Sequence, residues 1–124
     1  MILSHTMIRV SNIEKALDFY TKLLDMKIVK QKEFDGNKLY FLTDETENVE
    51  IELMYNPQNK NVDFGKGFGH FGFRVKSISD FEIKMKELGL EYFKKPYSPP
   101  NSTTVIAFIK DFDGYEIELI EKNK

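Results

Sequence analysis

Residues 66–75 read Lys66-Gly67-Phe68-Gly69-His70-Phe71-Gly72-Phe73-Arg74-Val75, and the run HFGFRV from His70 matches HTMIRV from His5 in form. These are the two histidines of the 124-residue chain, and each opens a strand-like run ending in Arg-Val. From 5 to 70 the offset is 65 residues. An Ile-Glu-Leu triplet occurs at Ile51-Glu52-Leu53 and again at Ile117-Glu118-Leu119, with the glutamates 66 residues apart. A fixed period marks internal duplication. Because it repeats a His and a Glu, it suggests one metal site built from two halves.

The flanking sequence is consistent with that. Ile2 to Val10 alternates as a strand, with Leu3, His5, Met7 and Arg9 on one face. Ser11-Asn12-Ile13-Glu14 has the form of a capping box, opening a helix whose stripe is Ile13, Ala16, Leu17, Tyr20, Leu23 and Leu24. Asp25 is the expected left-handed stop. Strands are expected over 26–34, 38–43 and 49–55, with Asp35-Gly36 as the hairpin turn. Residues 56–66 are polar and without hydrophobic period, the best linker candidate.

After the linker the pattern restarts. A strand is expected over 68–75, then a second capping box at Ser79-Asp80-Phe81-Glu82 with an Ile78–Ile83 staple. That helix buries Phe81, Met85 and Leu88 and stops at Gly89. Strands are expected over 90–94, 103–110 and 115–121, with a proline-rich loop over 96–102 and an Asp113-Gly114 turn. The expectation is α+β: two tandem βαβββ modules in a single domain 1–124, with repeats over about 1–56 and 67–122 and a linker over 57–66. Neither half is large enough to bury a sheet face alone, so the eight strands are expected to form an open half-barrel with helices outside.

Composition bounds the function. A net charge of −2 with scattered lysines provides no basic face for nucleic acid or an anionic membrane. There are no cysteines, which removes thiolate nucleophiles and Cys-ligated zinc. No signal peptide is read at the N-terminus and no apolar run has membrane-span length, so a cytoplasmic protein is expected.

A single strand histidine is more often structural than a ligand, and a single glutamate more often a surface carboxylate. Taken together the odds reverse. Both histidines fall on the first strand of a half and both glutamates on the last, with no histidine left over. Two imidazoles and two carboxylates suit nickel, cobalt, zinc or iron, and four ligands on an octahedral ion leave two positions open for chemistry. Arg9 and Arg74, four residues after each histidine, share its face; Arg74 reads as an ion-pair partner for a nearby glutamate.

HTMIRV with ALDFYTKLL, IELMYN, GFGHFGF and VIAFIKDFDGYEIELIE together resemble the lactoylglutathione lyase (glyoxalase I) family of the vicinal oxygen chelate superfamily, over nearly the whole chain. The resemblance implies a glyoxalase/bleomycin-resistance-like fold with metal ligands His5, Glu52, His70 and Glu118. It implies one divalent metal per site, nickel first, with cobalt or zinc as alternatives. Glu118 is the implied base and Glu52 its near-symmetric counterpart. The implied substrate is the methylglyoxal–glutathione hemithioacetal, and a homodimer is implied. Arg9 and Asn56 match residues that hold the γ-glutamyl end, Lys66 one that contacts the peptide, and Lys94 and Lys95 a pair that reaches the glycine carboxylate. Glu52 favours the lyase over the alternatives on the same fold, epimerases, which generally carry Gln there, and dioxygenases or thiol transferases with a two-His, one-carboxylate set. A metal-free drug-binding module of the bleomycin-resistance kind would need none of the four. Asp111-Phe112-Asp113-Gly114 stands where the family has Asp-Pro-Asp-Gly, and the 97–102 loop is proline-rich rather than glycine-rich.

Overall fold

The computed structural model describes residues 1–122. The chain divides into two compact units, Met1–Asp63 and a second beginning at Phe64. The first holds β1 (Thr6–Arg9), α1 (Ile13–Asp18), β2 (Lys27–Phe34), β3 (Asn37–Thr43) and β4 (Glu50–Tyr55). The second holds β5 (His70–Arg74), α2 (Ile78–Glu87), β6 (Lys94–Tyr97), β7 (Thr104–Lys110) and β8 (Glu116–Lys122). Each unit is therefore βαβββ, and the eight strands form two four-stranded sheets, ordered β1-β4-β3-β2 and β5-β8-β7-β6.

Topology follows from connection length. The hairpins β2–β3 and β7–β8 pair antiparallel through short turns, whereas β1 meets β4, and β5 meets β8, in parallel. Asp35 and Gly36 both have positive φ, at 51° and 80°, the requirement of a primed hairpin turn. The last hairpin is built differently. Asp111 is buried, and its carboxylate accepts the backbone N–H of Asp113 at 3.0 Å and of Tyr115 at 2.9 Å.

The apolar face of each sheet lies under its helix. Register partners Ile8 and Leu53 are buried in the first unit with Ala16, Tyr20 and Leu23 of the helical segment. In the second, Ile117, Leu119, Ala107 and Ile109 are buried, with Ile78 and Met85 from α2. Each fully buried aliphatic side chain contributes about 1.5–3 kcal/mol. The alternate face carries the polar row described below.

Several local expectations are corrected. Asn12, not Ser11, caps α1, accepting the Lys15 N–H at 3.0 Å. Ser77, not Ser79, caps α2, accepting the Asp80 N–H at 3.2 Å. Ile78 is consequently the first helical residue, and no staple forms, since Ile83 is exposed. Leu88 is also exposed rather than buried. α1 ends early in a π-helical turn over Phe19–Leu23, with the Leu24 N–H on the Phe19 carbonyl at 3.3 Å. β1 is shorter than the 2–10 run, and β6 begins at Lys94 and includes Pro96. An edge strand tolerates that proline, and its pairing to β7 is irregular there. Asp25, at φ 56°, ends the first helical segment in the left-handed region, as expected.

Candidate metal centre

Each sheet carries the same polar row. In the first unit Glu52 of β4 has Met7 of β1 on one side and Phe41 of β3 on the other, and Phe41 pairs onward with Lys30 of β2. In the second, Glu118 of β8 lies between Gly72 of β5 and Phe108 of β7, and Phe108 pairs onward with Lys94 of β6. His5 is two residues before Met7, and His70 two before Gly72. With a side-chain period of two, both histidines therefore face their glutamates diagonally. The duplication seen in the sequence is thus a duplication of geometry.

His5 Nε2 lies 3.4 Å from Glu52 Oε1, and His70 Nε2 lies 3.4 Å from Glu118 Oε1. A charge-assisted hydrogen bond would be about 2.7–2.9 Å. Two donors each about 2.1 Å from one cation are about 3.0 Å apart at a right angle and about 3.4 Å apart at the tetrahedral angle. Both pairs are therefore spaced as donors sharing an ion. The glutamates are the better shielded members, with side chains 12% and 20% exposed for Glu52 and Glu118.

Aromatic packing fixes the imidazoles. His5 meets Phe41 edge-on at 5.3 Å between centroids, and His70 meets Phe108 edge-on at 5.5 Å. Both phenylalanines are buried. Ser4 Oγ lies 2.8 Å from His5 Nδ1. In the tautomer with its proton on Nδ1, His5 donates to that hydroxyl and leaves Nε2 as the acceptor nitrogen on the Glu52 side. Ser4, Phe41, Phe108 and Lys30 were not singled out by the sequence; carrying the repeat outward from Glu52 and Glu118, strand by strand, would have found the latter three.

Within each unit the donor set stops at two, since among the described residues no group of three or more His, Asp or Glu side chains gathers there. The imidazole and carboxylate of each unit are donor types that suit a divalent transition metal.

The implied substrate residues are placed as follows. Arg9 is exposed on β1, two residues beyond Met7 and so on the same strand face as Met7 and His5. Asn56 follows β4 directly, and its side-chain oxygen accepts the Gln58 N–H at 2.8 Å, which starts the linker turn. Lys66 is exposed in a turn before His70. Phe64 and Phe68, flanking that turn, pack on Tyr115 at 4.6 and 4.9 Å, so the end of the linker is anchored to the second unit. Lys94 Nζ lies 5.0 Å from the Phe108 ring. Lys95 is the next residue on the strand and exposed, and strand alternation turns it from that ring.

A family model described as Glyoxalase/Bleomycin resistance protein/Dioxygenase superfamily matches residues 2–119. A probable lactoylglutathione lyase of Synechocystis sp. is 39% identical over 98% of this chain and 95% of its own length. A lactoylglutathione lyase of Escherichia coli O157:H7 is 38% identical, covering 98% and 93%. The crystal structure of glyoxalase I from Zea mays superposes with a TM-score of 0.86 at 30% identity. That match takes in 97% of this chain but 44% of the maize one, so the chain spans under half of that structural relative.

Proposed function

The chain belongs to the glyoxalase/bleomycin resistance protein/dioxygenase superfamily, and on that premise we propose that it is a metal-dependent lactoylglutathione lyase. It would convert the methylglyoxal–glutathione hemithioacetal to S-lactoylglutathione and so detoxify methylglyoxal. The observation that carries the reading is the twofold His–Glu pair at 3.4 Å, present on the corresponding strands of both units. A dioxygenase set of two histidines and one carboxylate, or a metal-free binding module, gives no reason for the second glutamate.

His5, Glu52, His70 and Glu118 would be the ligands of one divalent ion per site. Nickel is our first assignment, with cobalt and zinc as the alternatives that the same imidazole–carboxylate donors accept. The cation, when bound, supplies positive charge where negative charge develops on the two neighbouring substrate oxygens. The chain's own residues do the remaining work. The Glu118 carboxylate takes the proton from C1, and the C–H electron pair becomes the C1–C2 double bond of an enediolate. The same carboxyl returns the proton at C2, and the C1 hydroxyl proton moves to the C2 oxygen, leaving a thioester at C1. Glu52 is its counterpart in the first half. Arg9 and Asn56 bind the γ-glutamyl end, Lys66 the peptide, and Lys94 and Lys95 the glycine carboxylate; a dicarboxylate thiol calls for cations of this kind. We assign a homodimer, and a cytoplasmic location, where the thiol stays reduced. No helix among the described residues is long and apolar enough to cross a membrane.

The deciding assay follows thioester formation at 240 nm from methylglyoxal and glutathione, using metal-stripped protein with nickel, cobalt or zinc restored in turn. Activity returning with a divalent ion supports the reading. No thioester with any of them sinks it.

A further inference from the structure

The row that carries each His–Glu pair ends in a lysine that the resemblance treats unequally. In the second unit it is Lys94, a residue already assigned to a substrate carboxylate. In the first it is Lys30, to which nothing has been assigned. Lys30 Nζ stands 4.3 Å from the centroid of the Phe41 ring, and Lys94 Nζ 5.0 Å from that of Phe108. Lys30 pairs with Phe41 in strand register as Lys94 pairs with Phe108. Both lysines are exposed.

Like Lys32 and Lys110, both stand over aromatic rings, and what sets them apart is their place in the rows that carry Glu52 and Glu118. Lys22, Lys27 and Lys86 each pair with a carboxylate, on Asp18, Glu47 and Glu82. Lys30 and Lys94 have no carboxylate within ion-pair distance among the described residues. Their ammonium groups stand instead over the rings of Phe41 and Phe108, which pack nearly at right angles against His5 and His70. A cation over an aromatic face is held in place yet keeps its donors available. Each half-site thus presents a fixed, unneutralised positive charge on the same face as its imidazole.

We propose that Lys30 is a specificity-determining residue that binds a carboxylate of the thiol cosubstrate, the first unit's equivalent of Lys94. The inference rests on the lyase reading, under which the substrate carries two carboxylates. Lys32, whose Nζ is 5.6 Å from the same ring, is one register step further out and is the natural control.

The test uses the metal-loaded, full-length protein and S-methylglutathione, an unreactive thioether with both carboxylates, titrated calorimetrically beside steady-state kinetics. Lys30→Met keeps an apolar stem against Phe41 and removes the charge. It is expected to weaken S-methylglutathione binding about tenfold and raise KM by a similar factor, with kcat within twofold, the pattern of lost uniform binding. Lys30→Arg should restore most of it, and Lys32→Met should bind as wild type. Of two S-methylglutathione monoamides, one at the γ-glutamyl carboxylate and one at the glycine carboxylate, one should bind wild type and Lys30→Met alike; if both still bind wild type more tightly than Lys30→Met, the Lys30 assignment is overturned. If wild type binds and turns over while Lys30→Met matches it in affinity and KM, the Lys30 assignment is overturned and the lyase reading stands. If wild type with each metal neither binds the thioether nor makes thioester, both are overturned.

Discussion

Glu118 faces Gly72 across the β8–β5 pair, and a Cβ at Gly72 would stand 3.6 Å from the Glu118 carboxylate and 3.4 Å from the Ile120 side chain. The corresponding neighbour of Glu52 is Met7. The two halves therefore share donors and spacing but differ in the room beside the carboxylate. A residue that both holds a cation and shuttles a proton must swing, and only Glu118 has a glycine beside it. Gly72→Met, which copies the first half, is expected to lower kcat about tenfold with metal content unchanged, in line with the large cost of small misplacements. Metal analysis alongside turnover checks it; wild-type turnover would remove the steric argument.

The same asymmetry ranks the glutamates. Glu118→Gln is expected to lose roughly 10²-fold or more in kcat, the range for a general base, while still holding metal. Glu52→Gln should lose less turnover per bound metal. Equal losses in the two variants would mean that proton transfer is shared between them, and a fully active Glu118→Gln would place the base elsewhere.

Much of this was legible in the sequence because the chemistry is duplicated. Two histidines and two Ile-Glu-Leu triplets at nearly one period pointed to the βαβββ order and to the two His–Glu pairs that the strands bring to 3.4 Å. The cap positions were not legible. Ser11-Asn12 and Ser77-Ile78-Ser79 each offer adjacent cap-competent residues, and the capping-box pattern chose Ser11 and Ser79. In each case the backbone was decided by which residue took extended φ and ψ, at Asn12 and Ser77. β6 was misplaced because Pro96 reads as a loop signal, although an edge strand can hold it. Lys30 and Phe41 were missed because a lysine and a phenylalanine in adjacent strands carry no motif; only the register joins them.

Ser4 gives a third prediction. Its hydroxyl is the partner of His5 Nδ1 at 2.8 Å, and His70 has no corresponding contact among the described residues. Ser4→Ala is expected to weaken metal binding about tenfold, the lower end for loss of such a partner. Competition of the variant against a chelator of known affinity reads this without any activity measurement. Affinity equal to wild type would show that Phe41 alone orients the ring.

Asp111 controls the last hairpin and therefore the placement of Glu118. Asp111 is buried and its carboxylate serves two backbone N–H groups of the turn. Asp111→Ala leaves both donors without that acceptor, a cost of about 2 kcal/mol or more. Asp111→Asn retains an acceptor oxygen and should recover much of it. Urea midpoints of the two variants make the comparison; if Asp111→Ala unfolds with wild type, the turn is held by its backbone bonds alone.

Tyr92 provides a pH signature. Burial first, and the neighbouring Glu82 carboxylate second, push its pKa from an ordinary 10.0 up to about 12. The hydroxyl is shielded from water without a hydrogen bond of regular geometry. Below about pH 10 it is protonated whether the chain is folded or not, and its contribution to stability is complete. As pH rises above 10 the unfolded chain releases this proton first, so that contribution falls and is lost as pH passes through about 12. Tyr92→Phe has no proton to release. The gap between the denaturation midpoints of wild type and Tyr92→Phe should therefore be constant up to about pH 10 and shift against wild type above it. The absorbance difference between wild type and Tyr92→Phe should show the Tyr92 phenol ionising above its ordinary 10.0, at about 12. A gap that stays constant to pH 12 would mean that the Tyr92 hydroxyl titrates as it does in the unfolded chain.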